Sequence, residues 1–504
     1  EIGTGYWSSD VCSSDLKMKT IMKIKVLALA VLLLGIGSCT KDFDEMNVNP
    51  NAATVVPATN VFLRGMMSIT YTLFGERLDV YYTGSWAGQT AAIGTGDYEY
   101  RVDINNSQWR SMYIAMTYCV DAMRLAKEEG NDNLYAAALT LKAYAAHQTS
   151  DLWGDIPYSE AFRLEEDIIY PKYDKQKDVY AEVLAELKTA SEMFSDEGGD
   201  IGVGDWIFKG DISKWVKFAN STRLRIALRM SSVDEAGAKA VISEVLDKPL
   251  LTDQSDNAYF WYPGITPDQE IWYERMGAAD GNKTDQYRTN DVMVSILKDN
   301  NDPRLPVYVD KNKYGEYNGY RFYDGQTRDT MNNGNNVSHI GDRFGNDPEG
   351  FSPFMHCAEI YFNKAEIYER GLADGNAKEA YEMGIMKSME DNGIDAAAAT
   401  AFLSEPGVAW GAGSMSNLEK IRTQKWISLF KQSVEAWSEA RRTDVPLMTG
   451  VSENYAQFGH NRPPFRMAYA DEEKSLNINF PTDVVESDIF YGTQMWWDTR
   501  TGVN

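Results

Sequence analysis

From Ala58 onward, apolar residues recur every three or four positions, the spacing of a helix with one buried face. Val61, Phe62, Met66, Ile69 and Leu73 set the first helix, over residues 58–74. Helical patterns at 109–127 and 133–149 follow, broken near Gly130, and the short link predicts an antiparallel pair. The second of these carries Ala136, Ala137, Ala138, Ala143, Ala145 and Ala146, which favour helix and let a neighbour approach closely. Further helical patterns cover 178–193, 212–230, 235–246, 292–298, 358–370, 377–389 and 417–439. A succession of helix pairs is the grammar of a helical-repeat scaffold. No clean repeat holds at a period near 34 residues, so any tetratricopeptide-like units have diverged.

The pattern breaks in four places. Residues 80–101 set Tyr81, Tyr82, Trp86, Tyr98 and Tyr100 among glycines and polar residues and read as a loop. Residues 258–262 read as a short strand ended by Pro263-Gly264, with Trp272 and Tyr273 on the loop after it. Residues 311–353 are dominated by Gly, Asn, Asp and Tyr, a loop long enough to be functional. The tail, 446–504, is rich in proline and aromatics and reads as a layer over the scaffold. The expected fold is mainly α: a tetratricopeptide-like helix-pair scaffold with a loop-rich, mixed second half.

Ahead of the helices lies a different signal. Lys19, Lys23 and Lys25 precede an apolar run of about a dozen residues that ends in Ile36-Gly37-Ser38-Cys39, the order of a secretory leader. The run is shorter than the roughly 20 residues a spanning helix needs. The ending resembles a bacterial lipoprotein cleavage box, which would place a lipid on Cys39; an ordinary cleaved signal beside an incidental cysteine is the competing reading. Residues 1–17 do not fit this plan and are set aside as a non-native upstream segment, leaving 18–38 as leader, 39–52 as lipidated tether and 53–504 as one domain.

The net charge of −25 repels nucleic acid and anionic lipid surfaces, so neither is an expected partner. Cys119 and Cys357 sit in apolar helical patterns and read as buried free thiols, with a disulfide between them left open. His147, His339, His356 and His460 are the only histidines, and no Gly-x-Ser-x-Gly elbow, His-Glu-x-x-His or paired Cys-x-x-Cys accompanies them. His147 follows an alanine-rich face and reads as a satisfied core histidine. A glycosidase needs two carboxyls at a fixed separation, which adjacent acids such as Glu165-Glu166 do not establish. Acidic turns at 299–302 and 324–347 offer oxygen ligands of the kind calcium takes, without EF-hand order, and read first as solvated turns. No cofactor and no catalytic residue is expected.

Several motifs, taken together and in order, resemble one family. They are Asp151-Leu152-Trp153-Gly154-Asp155-Ile156-Pro157-Tyr158-Ser159-Glu160-Ala161, Asp302-Pro303-Arg304-Leu305-Pro306 and Glu359-Ile360-Tyr361-Phe362-Asn363-Lys364-Ala365-Glu366. Gln424-Lys425-Trp426-Ile427-Ser428-Leu429-Phe430, then Glu435-Ala436-Trp437-Ser438-Glu439-Ala440-Arg441-Arg442-Thr443, then Trp496-Trp497-Asp498 complete the set. The chain is similar to SusD/RagB nutrient-binding lipoproteins of Bacteroidetes. That resemblance implies an α-rich unit on the outer face of the outer membrane. It implies a SusC-type TonB-dependent β-barrel partner and capture of an oligosaccharide without a chemical step. Peptide capture on the same fold, a surface glycan hydrolase and a structural adaptor are the rival readings.

Sugar rings stack their C–H faces on indole or phenol rings, so aromatics outside the scaffold are the candidate ligand residues. They are Trp86 with Gln89, and Trp261, Tyr262, Trp272 and Tyr273; Tyr98 and Tyr320 are weaker candidates. Strand alternation sends half the aromatics at 259–262 inward, so packing competes with ligand contact at each. Trp109, Trp153, Trp215, Trp426 and Trp437 read as core. If Cys39 carries the anchor, Cys39→Ala will move the protein from the membrane fraction to the soluble fraction; retention in the membrane overturns the assignment.

Overall fold

The computed structural model describes residues 56–92, 101–276, 286–321, 334–449, 459–482, 484 and 491–504. The leader and Cys39 lie outside the described residues. Residues 57–504 pack as one unit.

Helices α1 (Ala58–Leu73), α2 (Val102–Glu129), α3 (Asp132–Trp153), α4 (Gln176–Met193), α5 (Ile212–Met230) and α6 (Glu235–Leu246) pack each on the next in sequence except for the short β1 (Thr90–Ala92) between the first two. The turns are set by local chemistry. Gly130 ends α2 at φ +70°, and Asn131 Oδ1 then accepts the Leu134 N–H at 2.9 Å to start α3. Asp211 and Asp234 cap α5 and α6 in the same way. Helix α3 is the centre of the scaffold: Ala136, Ala137, Ala138, Ala143, Ala145 and Ala146 are all fully buried. Their small side chains let α2, α4 and α5 close on it from several sides.

The second half is mixed, as the breaks in periodicity predict. Strand β2 (Ala258–Trp261) pairs antiparallel with β4 (Phe351–Met355), Trp261 opposite Phe351. Strand β3 (Tyr287–Thr289) pairs antiparallel with β1, tying the two halves together ahead of α7 (Asp291–Asp299). Helices α8 (Cys357–Glu369) and α9 (Ala377–Asp391) form a further pair, and α8 also packs on α5 and on α10 (Asn417–Ser428). Among the described residues no helix is long and apolar enough to cross a membrane.

Four expectations about the fold are corrected. The described part of 80–101 is not a plain loop: Arg77–Tyr82 is a π-helical turn, Thr83–Trp86 an α-helical turn, and β1 follows, while 93–100 lie outside the described residues. Trp272 and Tyr273 lie on a short helix, Ile271–Met276. The helix read over 417–439 is two, α10 and α11 (Ser433–Thr443), because Lys431 adopts φ +67° between them. That turn carries the Lys431 ammonium into the core, 2.9 Å from Glu270 Oε1. Cys119 and Cys357 are buried free thiols, and burial pushes Cys119 up to about 12. His147 is buried but not satisfied: among the described residues neither ring nitrogen has a hydrogen-bond partner, and burial lowers its pKa.

Asp79 is the weak point of this core. Its Oδ1 accepts the Ser433 N–H at 2.9 Å and its Oδ2 has no partner among the described residues. Burial raises its pKa to about 6, against the lowering effect of the Ser433 hydrogen bonds and Lys431. A carboxyl raised in the folded state favours folding below its unfolded value, and that contribution is lost as pH rises through about 6. The cost at pH 8 is about 3 kcal/mol. Asp79→Asn should therefore melt a few degrees above the wild type at pH 8, with the gap closing toward pH 4; a gap independent of pH overturns the assignment.

Candidate functional site

Most of the candidate aromatics are claimed by the core. Trp86 is fully buried, its ring 4.8 Å from that of Trp437 and 5.1 Å from that of Tyr82. The helical turns that replace the expected loop drive it inward, so it is corrected to a packing residue. Gln89 is equally buried; its amide donates to the Trp426 carbonyl at 2.7 Å while the Trp426 indole donates to the Ala87 carbonyl at 2.9 Å. This exchange docks the segment on α10. Trp272 is buried under Lys431, and its indole donates to the Phe74 carbonyl at 2.8 Å. Tyr273 is half-buried on the same short helix, apart from the cleft that Trp261 lines. Tyr320 is buried with Ala91 and Val337, and Tyr98 lies outside the described residues.

Trp261 is different. It is 46% exposed at the end of β2, with its inner edge against Phe351 at 5.3 Å. It lines an open cleft of about 580 Å³, and the buried Tyr262 forms part of the floor, its hydroxyl 3.0 Å from Ser352 Oγ. Pocket size falls in the range that holds a small ligand. The opposite wall is the loop between α4 and α5, which contributes Asp200, Gly202, Val203, Asp205, Trp206 and Lys209.

That loop was missed in the sequence because it lies between two strong helical patterns. Its signal was available: Gly202, Gly204 and Gly210 around Trp206 repeat the glycine–aromatic mixture of residues 80–101. Its shape is fixed by one buried carboxylate. Asp205 Oδ1 accepts the N–H groups of Ile207 (3.1 Å) and Phe208 (2.9 Å), and Oδ2 accepts those of Gly210 (2.9 Å) and the Trp215 indole (2.8 Å). Burial raises the Asp205 pKa against these four donors. The half-buried Trp206 is thereby held with its ring 5.4 Å from Phe260, one residue before Trp261. Lys209 is left at φ +54°, a left-handed conformation a lysine rarely adopts.

The arrangement offers indole surface, a floor phenol and two exposed charges. Asp205 is saturated by its four donors, leaving Asp200 as the available carboxylate of the wall among the described residues. A second cluster, His147, Asp151 and Glu435, brings ligand atoms within 4.8 Å of one another. Arg229 bonds both carboxylates there, so a guanidinium fills the place a cation would take. The acidic turn at 299–302 is likewise committed in part: Asp302 pairs with Arg304 through both oxygens, at 2.9 and 2.6 Å.

A family model described as starch-binding and associating with the outer membrane, SusD-like, matches residues 50–470. The fold is similar to that of a solved chitin-binding protein, at TM-score 0.74 and 23% identity over 88% of this chain and 100% of that one. It is similar to a SusD homologue from Bacteroides uniformis, at TM-score 0.74 and 22% identity over 87% and 99%. It is also similar to a chitin-binding SusD homologue from Flavobacterium johnsoniae, at TM-score 0.73 and 25% identity over 87% and 99%. No curated protein matches the chain by sequence. The helix-pair scaffold, the mixed second half and the match over most of the chain agree: this protein belongs to the SusD-like family.

Proposed function

We propose that the protein captures an oligosaccharide in the cleft between Trp206 and Trp261, on the outer face of the outer membrane. A lipid on Cys39 holds it there, and a SusC-type TonB-dependent barrel receives the cargo. The observation that carries the reading is the half-exposed Trp261 opposite the Asp205-braced Trp206 in an open cleft. Indole faces bind the apolar faces of sugar rings without demanding one pattern of hydroxyls. The chitin-binding relatives support a glycan over a peptide as cargo. Binding without catalysis is part of this reading; glycoside hydrolysis would need a second carboxyl beside Asp200.

Native gels cast with a panel of polysaccharides, assayed in parallel for new reducing ends, test this. Retardation without products is expected. Trp261→Ala should weaken binding roughly 5- to 10-fold, the equivalent of about 1–1.5 kcal/mol of stacking. Asp205→Ala should cost a comparable factor because it frees Trp206, and Asp205→Asn should recover part of it by keeping the acceptor for Ile207 and Phe208. New reducing ends would overturn the non-catalytic reading, and binding indifferent to both tryptophans would move the site elsewhere.

A further inference from the structure

The cleft holds two opposite charges that do not meet. Asp200 and Lys209 both line it and both are exposed. They are close in the fold: a Cβ on Gly210, the residue after Lys209, would stand 3.6 Å from Asp200 Oδ1. Yet among the described residues no ion pair joins them, and the Lys209 ammonium has no carboxylate partner. Asp200 uses Oδ1 to accept the Gly202 N–H at 2.9 Å, which fixes the carboxylate and leaves Oδ2 for a donor. Lys209 is fixed at its base: its own N–H donates to the Asp205 carbonyl at 3.2 Å, and the next N–H to the Asp205 carboxylate. The left-handed backbone of Lys209 is strained, and strain of this kind persists where the surroundings over-determine it. Between the two, Val203 exposes 87% of its surface in the same cleft.

An acceptor, a donor and an exposed methyl-bearing side chain on one wall describe the complement of a secondary amide with a methyl on its carbonyl. We propose that this wall recognises the acetamido group of an N-acetylhexosamine: the N–H donates to Asp200, the C=O accepts from Lys209, and the methyl lies against Val203. The ring carrying the group stacks on Trp261. A polyanionic glycan is disfavoured by Asp200 and by the net charge of −25. A cationic amine would satisfy Asp200 but leave Lys209 facing a like charge. The inference rests on the cleft being the glycan site, and names the class of glycan.

Two hexamers with the same β-1,4 glucose backbone separate the inference from the reading beneath it. N-acetylglucosamine hexamer and cellohexaose differ only at carbon 2, acetamido against hydroxyl. Titration calorimetry on the full mature chain should show the acetylated hexamer binding about tenfold more tightly, the scale of discrimination by paired polar groups. Lys209→Met and Asp200→Asn should each pull that ratio toward one, whereas Trp261→Ala should weaken both hexamers together. A wild-type ratio at or below one, or losses equal for both hexamers in the Lys209 and Asp200 variants, overturns the acetamido assignment and leaves glycan capture standing. Tighter binding of the deacetylated, cationic hexamer, or equal binding of an acetylated hexaglycine, overturns it too. Binding of no hexamer and of no polysaccharide would defeat the capture reading itself.

Discussion

The structure depends on a buried lattice of charges that no single helix could hold. Arg229 of α5 reaches Asp151 of α3 at 2.6 Å and Glu435 of α11, with Glu439 at 3.3 Å. Arg225, one turn earlier, takes both oxygens of Glu359 on α8. Arg442 grips Glu366 of α8 through two bonds, at 2.8 and 2.7 Å, and Lys425 of α10 closes on Glu439 at 3.0 Å. Burial would push Glu435 up, but Arg225 and Arg229 hold it down at about 2, and Arg442 and Lys425 likewise hold Glu439 well below the ordinary range. Taking one such partner away leaves a buried charge uncompensated, a loss of about 3–5 kcal/mol. The lattice therefore ties α3, α5, α8, α10 and α11 to one another through buried charge pairs.

The tail is drawn into the same lattice. The Trp497 indole donates to Asp151 at 3.2 Å, and the Arg229 and Arg441 guanidiniums lie 5.1 and 5.0 Å from its ring. Arg441 in turn donates to the carbonyls of Asp151 (2.8 Å) and Phe465 (2.7 Å). Residues that look like an irregular layer are thus pinned at their polar points, which is how a segment with little secondary structure can be ordered over a helical core. His147 stands at the edge of this lattice as a neutral ring, 3.6 Å from Asp151, with the carboxylate oxygen it faces already taken by Arg229.

The scaffold was legible in the sequence because each helix is written locally. The spacing of apolar residues, Gly130 at φ +70° and the caps at Asn131, Asp211 and Asp234 need no knowledge of the partner helix. The aromatic sites were not legible, because burial is decided by distant chain. Trp86 and Trp261 sit in equally loop-like surroundings in the sequence. Trp437, far along the chain, covers the first, while β4 covers only the inner edge of the second. The break at Lys431 was hidden for the same reason: the helical pattern continues through it, and the Glu270 that receives its ammonium comes from another part of the fold. Trp206 was hidden by its neighbours, two helices strong enough to make the loop between them look like a mere connection.

The residues that identify the family and the residues that would choose a ligand are separate sets. Asp151, Glu359, Glu366, Lys425, Glu435, Glu439, Arg441, Arg442 and Trp497 all carry the resemblance, and all are spent inside the lattice. None of them lines the cleft. The cleft wall instead hangs on Asp205 and Trp215, one buried carboxylate and one indole at the start of α5, outside the charge lattice. Changing Asp200, Val203, Trp206 or Lys209 would alter what the wall offers without removing a partner from any buried charge. A scaffold held by internal ion pairs can therefore present different ligand surfaces on one fold, and the motifs that name the fold carry no information about the ligand.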